Sequence, residues 1–265
     1  MVVAMYKPIR IFLLLLMAAI SPALRADAIT IAAAADLKFA MDQIIADFMQ
    51  DNADASVEVV YGSSGTFNAQ ITQGAPFDLY FSADISYPRE LEAAGWAASP
   101  VRPYAIGRIV LWSSSVDAST LALSDLTEAR FRRIAIANPR HAPYGKRAEE
   151  ALRAAGVWEQ IKPKLVYGEN IAQTAQFVQT GNADIGIIAL SLALSPEFAA
   201  KGGYLLIPDT LHQPLEQGYI VTSRAKDSVL ASRFADFMES VAARSILSRY
   251  GFILPVSDAT GSAAE

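Results

Sequence analysis

The sequence predicts an α/β protein of two units, each a mostly parallel sheet flanked by helices. Three observations carry this. Short apolar, β-rich runs alternate with runs of helical periodicity along most of the chain, the pattern of parallel strands joined by covering helices. The alternation breaks once, between Tyr104 and Ser119, where a longer strand-like run and a polar linker intervene, and then resumes. The chain is 265 residues long and holds no cysteine, so two substantial cores must hold without disulfide staples.

The first 28 residues stand apart from that pattern. Lys7 and Arg10 precede an apolar run from Ile11 to Ile20, Pro22 breaks it, and Ala26-Asp27-Ala28 satisfies the small-x-small cleavage rule. The run is too short to span a bilayer comfortably. Residues 1–28 therefore read as a secretory signal peptide cut near Ala28, and the absence of cysteine suits a soluble protein of the bacterial periplasm without a lipid anchor. The net charge is −5, and it becomes more negative once Lys7, Arg10 and Arg25 leave together with Asp27. Such a chain lacks the basic footprint needed to bind nucleic acid or anionic lipid. His141 and His212 are too few and too far apart for a zinc or copper site.

Ile29 to Ala34 reads as a first strand, buried on both faces. Asp36 then caps a helix whose apolar positions, Leu37, Ala40, Met41, Ile44, Ile45 and Phe48, recur at helical spacing. Ser56 to Tyr61 is a second strand, which Gly62-Ser63-Ser64-Gly65-Thr66 turns into a short helix from Phe67 to Thr72. Gly74-Ala75-Pro76 stops that helix, Phe77 to Ser82 is a third strand, and Arg89 to Ala94 is a helix ended by Gly95. Ile106 to Trp112 reads as one longer strand. The alternation resumes with strands at 134–137, 164–167, 185–190 and 204–207 and helices at 144–155 and 171–180. A strand from Gly218 to Thr222 and one long amphipathic helix from Ser228 to Arg249 close the chain, the helix packing back on the first unit. Residues 29–105 plus 219–256 then form lobe I, 106–218 lobe II, and 257–265 a disordered tail.

Ligands of open α/β sheets bind beyond the carboxyl ends of strands, and a cleft between two such units is the usual pocket. Four loops belong there: Ala34 to Leu37, Gly62 to Thr66, Asn138 to Gly145, and Gly168 to Ile171. Each leads into a helix, whose first N–H groups lack intrahelical partners and carry the positive end of the dipole. The hydroxyls of Ser63 and Ser64 make Tyr61 to Thr66 a candidate anion cradle. Taken alone, a Ser/Gly turn that merely caps a helix explains that stretch better; partners across a cleft reverse the balance. Apart from Arg140 and Lys146 these loops carry no cation. That suits a small oxyanion held by N–H groups and hydroxyls, and does not suit a large polyphosphate.

The ordered set of motifs is specific. Residues 29–37 (Ile-Thr-Ile-Ala-Ala-Ala-Ala-Asp-Leu), Tyr61 to Thr66, Gln70-Ile71, Gly74 to Leu79 and Ser82-Ala83-Asp84 resemble the periplasmic molybdate-binding proteins of ABC importers. So do Ile134 to Pro139, Ala142 to Gly145, Gly168 to Ile171, Gly181 to Ile187 and Arg249 to Phe252, which brings nearly the whole mature chain into the resemblance. It implies a two-lobed type II periplasmic binding protein fold that closes over a molybdate or tungstate dianion in the cleft. It also implies no cofactor and no catalysis, a monomer, and delivery of the anion to an inner-membrane ABC permease. The family's hydroxyl donor after the second strand falls on Ser64, and its backbone donor at the start of a second-lobe helix falls on Ile171. Tyr144 matches a loop position where some members lend a Tyr hydroxyl to the anion; the later position used by others is Ala189 here. The metal would be reached only through its oxo groups.

Asp36 departs from the family pattern, which has Ser, Thr or Asn as a donor there. A carboxylate cannot donate, and against a dianion at close range it is repelled by several kcal/mol even at an effective dielectric of about 20. Three outcomes are open: Asp36 caps its own helix near Phe39, it is protonated and donates to the ligand, or the ligand is not molybdate. Capping is favoured, because Asp is among the best N-cap residues. Two rival functions remain. One is another oxyanion, sulfate or phosphate, or a ferric ion held by Tyr61, Tyr144, Tyr167 and Asp36. The other is a serine hydrolase, for which Gly62-Ser63-Ser64-Gly65 lacks the Gly-x-Ser-x-Gly form and His141 and Asp78 would have to be neighbours.

Overall fold

The computed structural model describes residues 27–255. The signal-peptide expectation lies almost wholly outside them, as does the expectation of a disordered tail at 257–265. Ten strands build two five-stranded sheets. The first sheet has β1 (Ala28–Ala34) flanked by β2 (Ser56–Gly62) and β3 (Leu79–Ser82), all parallel. The helices between these strands are α1 (Lys38–Gln50), α2 (Ser64–Thr72) and, after β3, α3 (Ser86–Ala93). Next comes β4 (Arg102–Gly107), at the far edge of the same sheet.

The second sheet opens with β5 (Ile109–Trp112) and β6 (Ile134–Ala137). It continues through α4 (Pro143–Ala154), α5 (Trp158–Ile161), β7 (Leu165–Gly168) and α6 (Ile171–Gln179). Then follow β8 (Ile185–Ala189), α7 (Leu190–Ala193), α8 (Pro196–Ala199) and β9 (Tyr204–Leu206). The spatial order is β7-β6-β8-β5-β9, with the first three parallel and β5 antiparallel to both neighbours. The chain returns to the first sheet through β10 (Leu215–Val221), antiparallel between β3 and β4. It ends in α9 (Val229–Phe237) and α10 (Val241–Arg249).

Several elements differ from expectation. The single strand expected at Ile106 to Trp112 is two, because the chain changes sheets at Arg108: Gly107 pairs with Leu215 and Ile109 with Ala189. The last strand begins at Leu215 rather than Gly218. The long terminal helix is also two, since Ser240 interrupts it with extended backbone and caps the second half by accepting from the Ala243 N–H. Both halves do pack back on the first sheet: Phe234, Ala243, Ile246 and Leu247 share one buried core with Ile29, Ile31 and Met41.

A second core fills the other sheet around Trp112, Ile136, Ile187 and Ile188, and it includes Ala34, Ala35, Ala83 and Leu215 of the first. The two sheets are thus joined by continuous apolar packing at the level where their strands end. Small alanines there let the backbones of both units approach closely. Among the described residues, no helix is long and apolar enough to cross a membrane.

Candidate functional site

The carboxyl ends of β1, β2, β6 and β7 face one another across the junction of the sheets. Between them lies a small cavity of about 10 Å³, roughly the space of one water molecule. Its walls are Ala34 to Asp36, Gly62 to Ser64 and Ala83 from the first unit, and Ala142 to Tyr144 and Ile171 from the second. Asp36, Ser64, Tyr144 and Ile171, the four residues singled out from the sequence, are therefore brought together. All four are buried.

Ser64 is the first residue of α2, which begins three residues earlier than its pattern suggests, with Ser63 in the preceding extended position. The Ala83 N–H donates to Ser64 Oγ at 3.0 Å, and Tyr80 donates its hydroxyl to the Ser64 carbonyl at 2.7 Å. One lone pair of the hydroxyl is thereby fixed, and its proton stays free to point into the cavity. Ser63 does different work. Its hydroxyl donates to the His141 carbonyl, the His141 imidazole lies with Nδ1 at 3.1 Å from Ser63 Oγ, and the Gly65 N–H donates to the same carbonyl at 2.9 Å. Ser63 and Gly65 thus clamp the second-unit loop onto the first unit.

Ile171 opens α6. Asn170 caps that helix by accepting from the Gln173 N–H at 2.9 Å, and the Ile171 N–H belongs to the first turn, which has no intrahelical acceptor. Tyr144 is the second residue of α4, whose Pro143 sits at the first helical position where a missing N–H costs nothing. Gly145 lets the helix seat on the end of β6; a Cβ there would run into the Ala137 carbonyl.

Asp36 does not cap α1. It sits inside a single 3-10 turn, Ala35–Leu37, that precedes the helix, and its side chain makes no capping bond. The capping expectation is overturned: a side chain within the turn points away from the N–H groups that an N-cap would reach. Instead Asp36 is 1 % exposed, and its Oδ2 accepts from the Tyr144 hydroxyl and from Gln217 Nε2, each at 2.9 Å. Gln217 Nε2 also lies 3.1 Å from the Tyr144 oxygen. Tyr104 donates its hydroxyl to Gln217 Oε1 at 2.5 Å, which orients the amide so that its NH₂ faces Asp36. Gly107 completes the fit, since a Cβ there would collide with both the Tyr144 hydroxyl and the Gln217 amide. Asp36 Oδ1, equally buried, meets no hydrogen-bond partner.

Burial pushes the Asp36 carboxyl up to about 6, against the pull of Gln217, Tyr144 and the backbone N–H groups of Asp36 and Leu37. No cation contributes to that balance. Burial first, and the neighbouring Asp36 charge second, hold the Tyr104 and Tyr144 phenols far above their ordinary range. The hydroxyl expected to serve a ligand at Tyr144 is therefore a neutral donor that Asp36 already engages.

Four contributors to this arrangement escaped sequence reasoning: Gln217, Tyr104, Ser191 and the Ser63–His141 contact. Ser191 donates its hydroxyl to the Asp36 carbonyl at 2.7 Å, two residues beyond the Ala189 position considered from sequence. Gln217 had a signal, being a lone amide among the apolar residues of β10, and a β-bulge between Gln217 and Gly218 re-aims it. Asp78 lies elsewhere, accepting from the Thr30 N–H at 2.8 Å and pairing with Arg224 at 3.1 Å. Nor do the phenols of a ferric site converge: Tyr61 donates to Asp42 on the surface, and Tyr167 is exposed.

The profile of the bacterial extracellular solute-binding proteins matches residues 29–253. The chain belongs to that family. Among relatives of this solute-binding protein, the molybdate-binding protein ModA of Azotobacter vinelandii is 34% identical over 231 residues, 87% of this chain and 91% of the relative. The molybdate-binding protein ModA of Rhodobacter capsulatus is 35% identical over 203 residues, 75% of this chain and 77% of the relative. The solved periplasmic molybdate-binding protein of Azotobacter vinelandii superposes with a TM-score of 0.78 at 29% identity, covering 86% of this chain and 99% of its own. The two-lobed periplasmic binding protein architecture expected from the sequence is therefore the fold of this solute-binding protein.

Proposed function

We infer that this solute-binding protein captures a tetrahedral oxyanion, molybdate and with it tungstate, in the cavity between the two sheets. The observation that carries this is the convergence on one buried cavity of the Ser64 hydroxyl with the opening turns of α2 and α6. These donors suit an anion and leave no cation to be matched. The molybdate-binding relatives support the choice of anion. Ser64 and the Ile171 N–H serve as donors, and Asp36 and Tyr144 complete the wall. The cavity is walled by both units and its lining is buried, so capture needs the lobes to part and then close, as two lobes joined at a hinge do. Following the two sheets, lobe I comprises 29–107 plus 215–255 and lobe II 108–214, which moves the expected boundaries at 105/106 and 218/219 by two to four residues. The protein works in the periplasm as a monomer without cofactor or turnover, and passes its anion to an inner-membrane ABC permease.

The Ser63–His141 contact gives the hydrolase its one favourable observation. It fails as a nucleophile pair because the Ser63 proton is donated to a main-chain carbonyl rather than to the imidazole, and Asp78 is not the third member. Titration calorimetry with molybdate, tungstate, sulfate and phosphate tests the assignment. Saturable heat with molybdate and none with sulfate is expected. Ile171→Pro removes one N–H at a position where proline suits a helix start, and should weaken molybdate by about 10- to 100-fold; silence with all four anions would reject the function.

A further inference from the structure

Asp36 is the one fully buried carboxylate on the cavity wall, and its two oxygens are unequal. Oδ2 takes two donors, the Tyr144 hydroxyl and Gln217 Nε2. Oδ1 has none. Tyr104 holds the Gln217 amide with its NH₂ toward Asp36, and the Tyr144 hydroxyl, whose oxygen accepts from Gln217 Nε2, directs its proton to Oδ2. A proton arriving at Asp36 consequently settles on Oδ1. There it finds no acceptor in the protein, although a buried O–H needs one. An oxygen of an anion in the cavity would satisfy it.

We propose that Asp36 serves the oxyanion site as a neutral acid, its Oδ1 proton donated to an oxygen of the bound anion, so that each anion captured takes up one proton. This rests on the oxyanion assignment above. Stoichiometrically, carboxylate, proton and dianion become carboxylic acid hydrogen-bonded to dianion. One O–H bond forms at Oδ1, nothing is oxidised or reduced, and the proton comes from solvent. The device turns a residue that would repel a dianion into a donor. It also sets specificity. An ionised Asp36 would instead accept from an oxyanion that carries its own proton, such as hydrogen phosphate, whereas the acid requires an acceptor oxygen at that point.

Asp36 is the acid of the cavity wall, and the charged and titratable groups around it are few. The phenols of Tyr144 on α4 and Tyr104 on β4 face it and stay neutral. Tyr80 on β3 is held neutral by burial. Neither α6 nor α7 carries an ionisable residue. On α1, Lys38 and Asp42 pair with each other at the surface at 3.2 Å. At the rim, His141 Nε2 lies 3.6 Å from the exposed Glu169, and Nδ1 faces Ser63. Burial already lifts the Asp36 carboxyl to about 6, so at neutral pH the proton is within reach but not yet bound.

The test counts protons. Molybdate binding to the wild-type protein is measured by calorimetry between pH 5 and 9, at each pH in two buffers of different ionisation heat. Close to one proton should be taken up per anion at pH 8 and a smaller fraction at pH 5.5, with affinity falling about tenfold per pH unit above pH 7. Asp36→Asn keeps the shape, its carbonyl accepting from Tyr144 and Gln217 and its NH₂ replacing the acid. It should bind with no proton uptake, with a flat pH profile, and at least tenfold more tightly than wild type at pH 8. Binding by the wild type without proton uptake overturns the proposal, as does an Asp36→Asn protein that still takes up the proton. Tight hydrogen phosphate binding without uptake overturns it in favour of an ionised Asp36. If Asp36→Asn does not fold, as judged by its circular dichroism, the count is repeated with His141→Gln: unchanged uptake supports Asp36 as the acceptor, and loss of uptake overturns the proposal. Absence of molybdate binding at every pH rejects the oxyanion assignment itself and the proposal with it.

Discussion

The turn after β1 and the turn after β2 leave adjacent parallel strands at the same level, Ala34 opposite Gly62, and both put a short polar side chain on the cavity wall. After β2, the chain enters a helix at once. Ser64 stands at its first position, with its oxygen fixed by the Ala83 N–H and its proton free. After β1, a 3-10 turn comes first, and Asp36 lies within it, turned away from α1 and toward the other unit. A hydroxyl can hold an internal donor and still serve a ligand. A carboxylate offers only acceptors until a proton arrives. The same strand-end geometry therefore yields a constant donor on one side and a conditional one on the other.

The largest way to sharpen that contrast is to remove the titration. Asp36 is more acidic in the unfolded chain, near 3.8, than in the folded protein, near 6. Between those values the folded state binds more protons, so stability falls as pH rises through that window, and the penalty is complete above it. Asp36→Asn should match wild type near pH 4 and exceed it by up to about 3 kcal/mol at pH 8. Urea unfolding of both proteins at the two pH values reads this, and an equal difference at both would break the contrast.

The next effect belongs to the constant donor. Ser64→Ala should weaken molybdate by about 30-fold, corresponding to about 2 kcal/mol, at every pH. It should also cost about 1–3 kcal/mol of stability by leaving the buried Ala83 N–H unpaired. An affinity loss that grew with pH would place the titrating group at Ser64's side of the cavity.

A smaller change tests whether the two units hold the β1 turn in place. Ser191→Ala deletes one hydrogen bond to the Asp36 carbonyl and should cost about 1 kcal/mol in thermal stability. Smallest of all, Lys38→Ala removes an exposed i,i+4 pair with Asp42 beside the β1 turn. It should change stability by less than about 0.5 kcal/mol and leave the proton count of binding unaltered. A shift in that count would mean that the surface charge reaches Asp36.

Most elements were legible because their cause is local. Gly74-Ala75-Pro76 stops α2 and Asn170 caps α6, and apolar runs such as Ile185 to Ala189 can only be buried strands. Strand ends and helix starts then put Ser64 and Ile171 at the cavity with no knowledge of what lies across it. The split of the last helix at Ser240 was also local, a capping serine inside an amphipathic pattern, but periodicity on both sides concealed it. The break at Arg108 was not local: only pairing with Leu215 on one side and Ala189 on the other assigns its flanks to different sheets.

The sequence by itself determined the alternation, the two units, and the donors that each turn would offer, because propensity and patterning act over a few residues. Tertiary structure alone decided the state of Asp36. Its partners lie 108 and 181 residues away, brought together by a chain that crosses between sheets twice. The burial that raises its affinity for a proton comes from both units at once. A carboxylate's role is set by the donors and the dielectric around it, and at this position neither is written within helical or strand range of the residue.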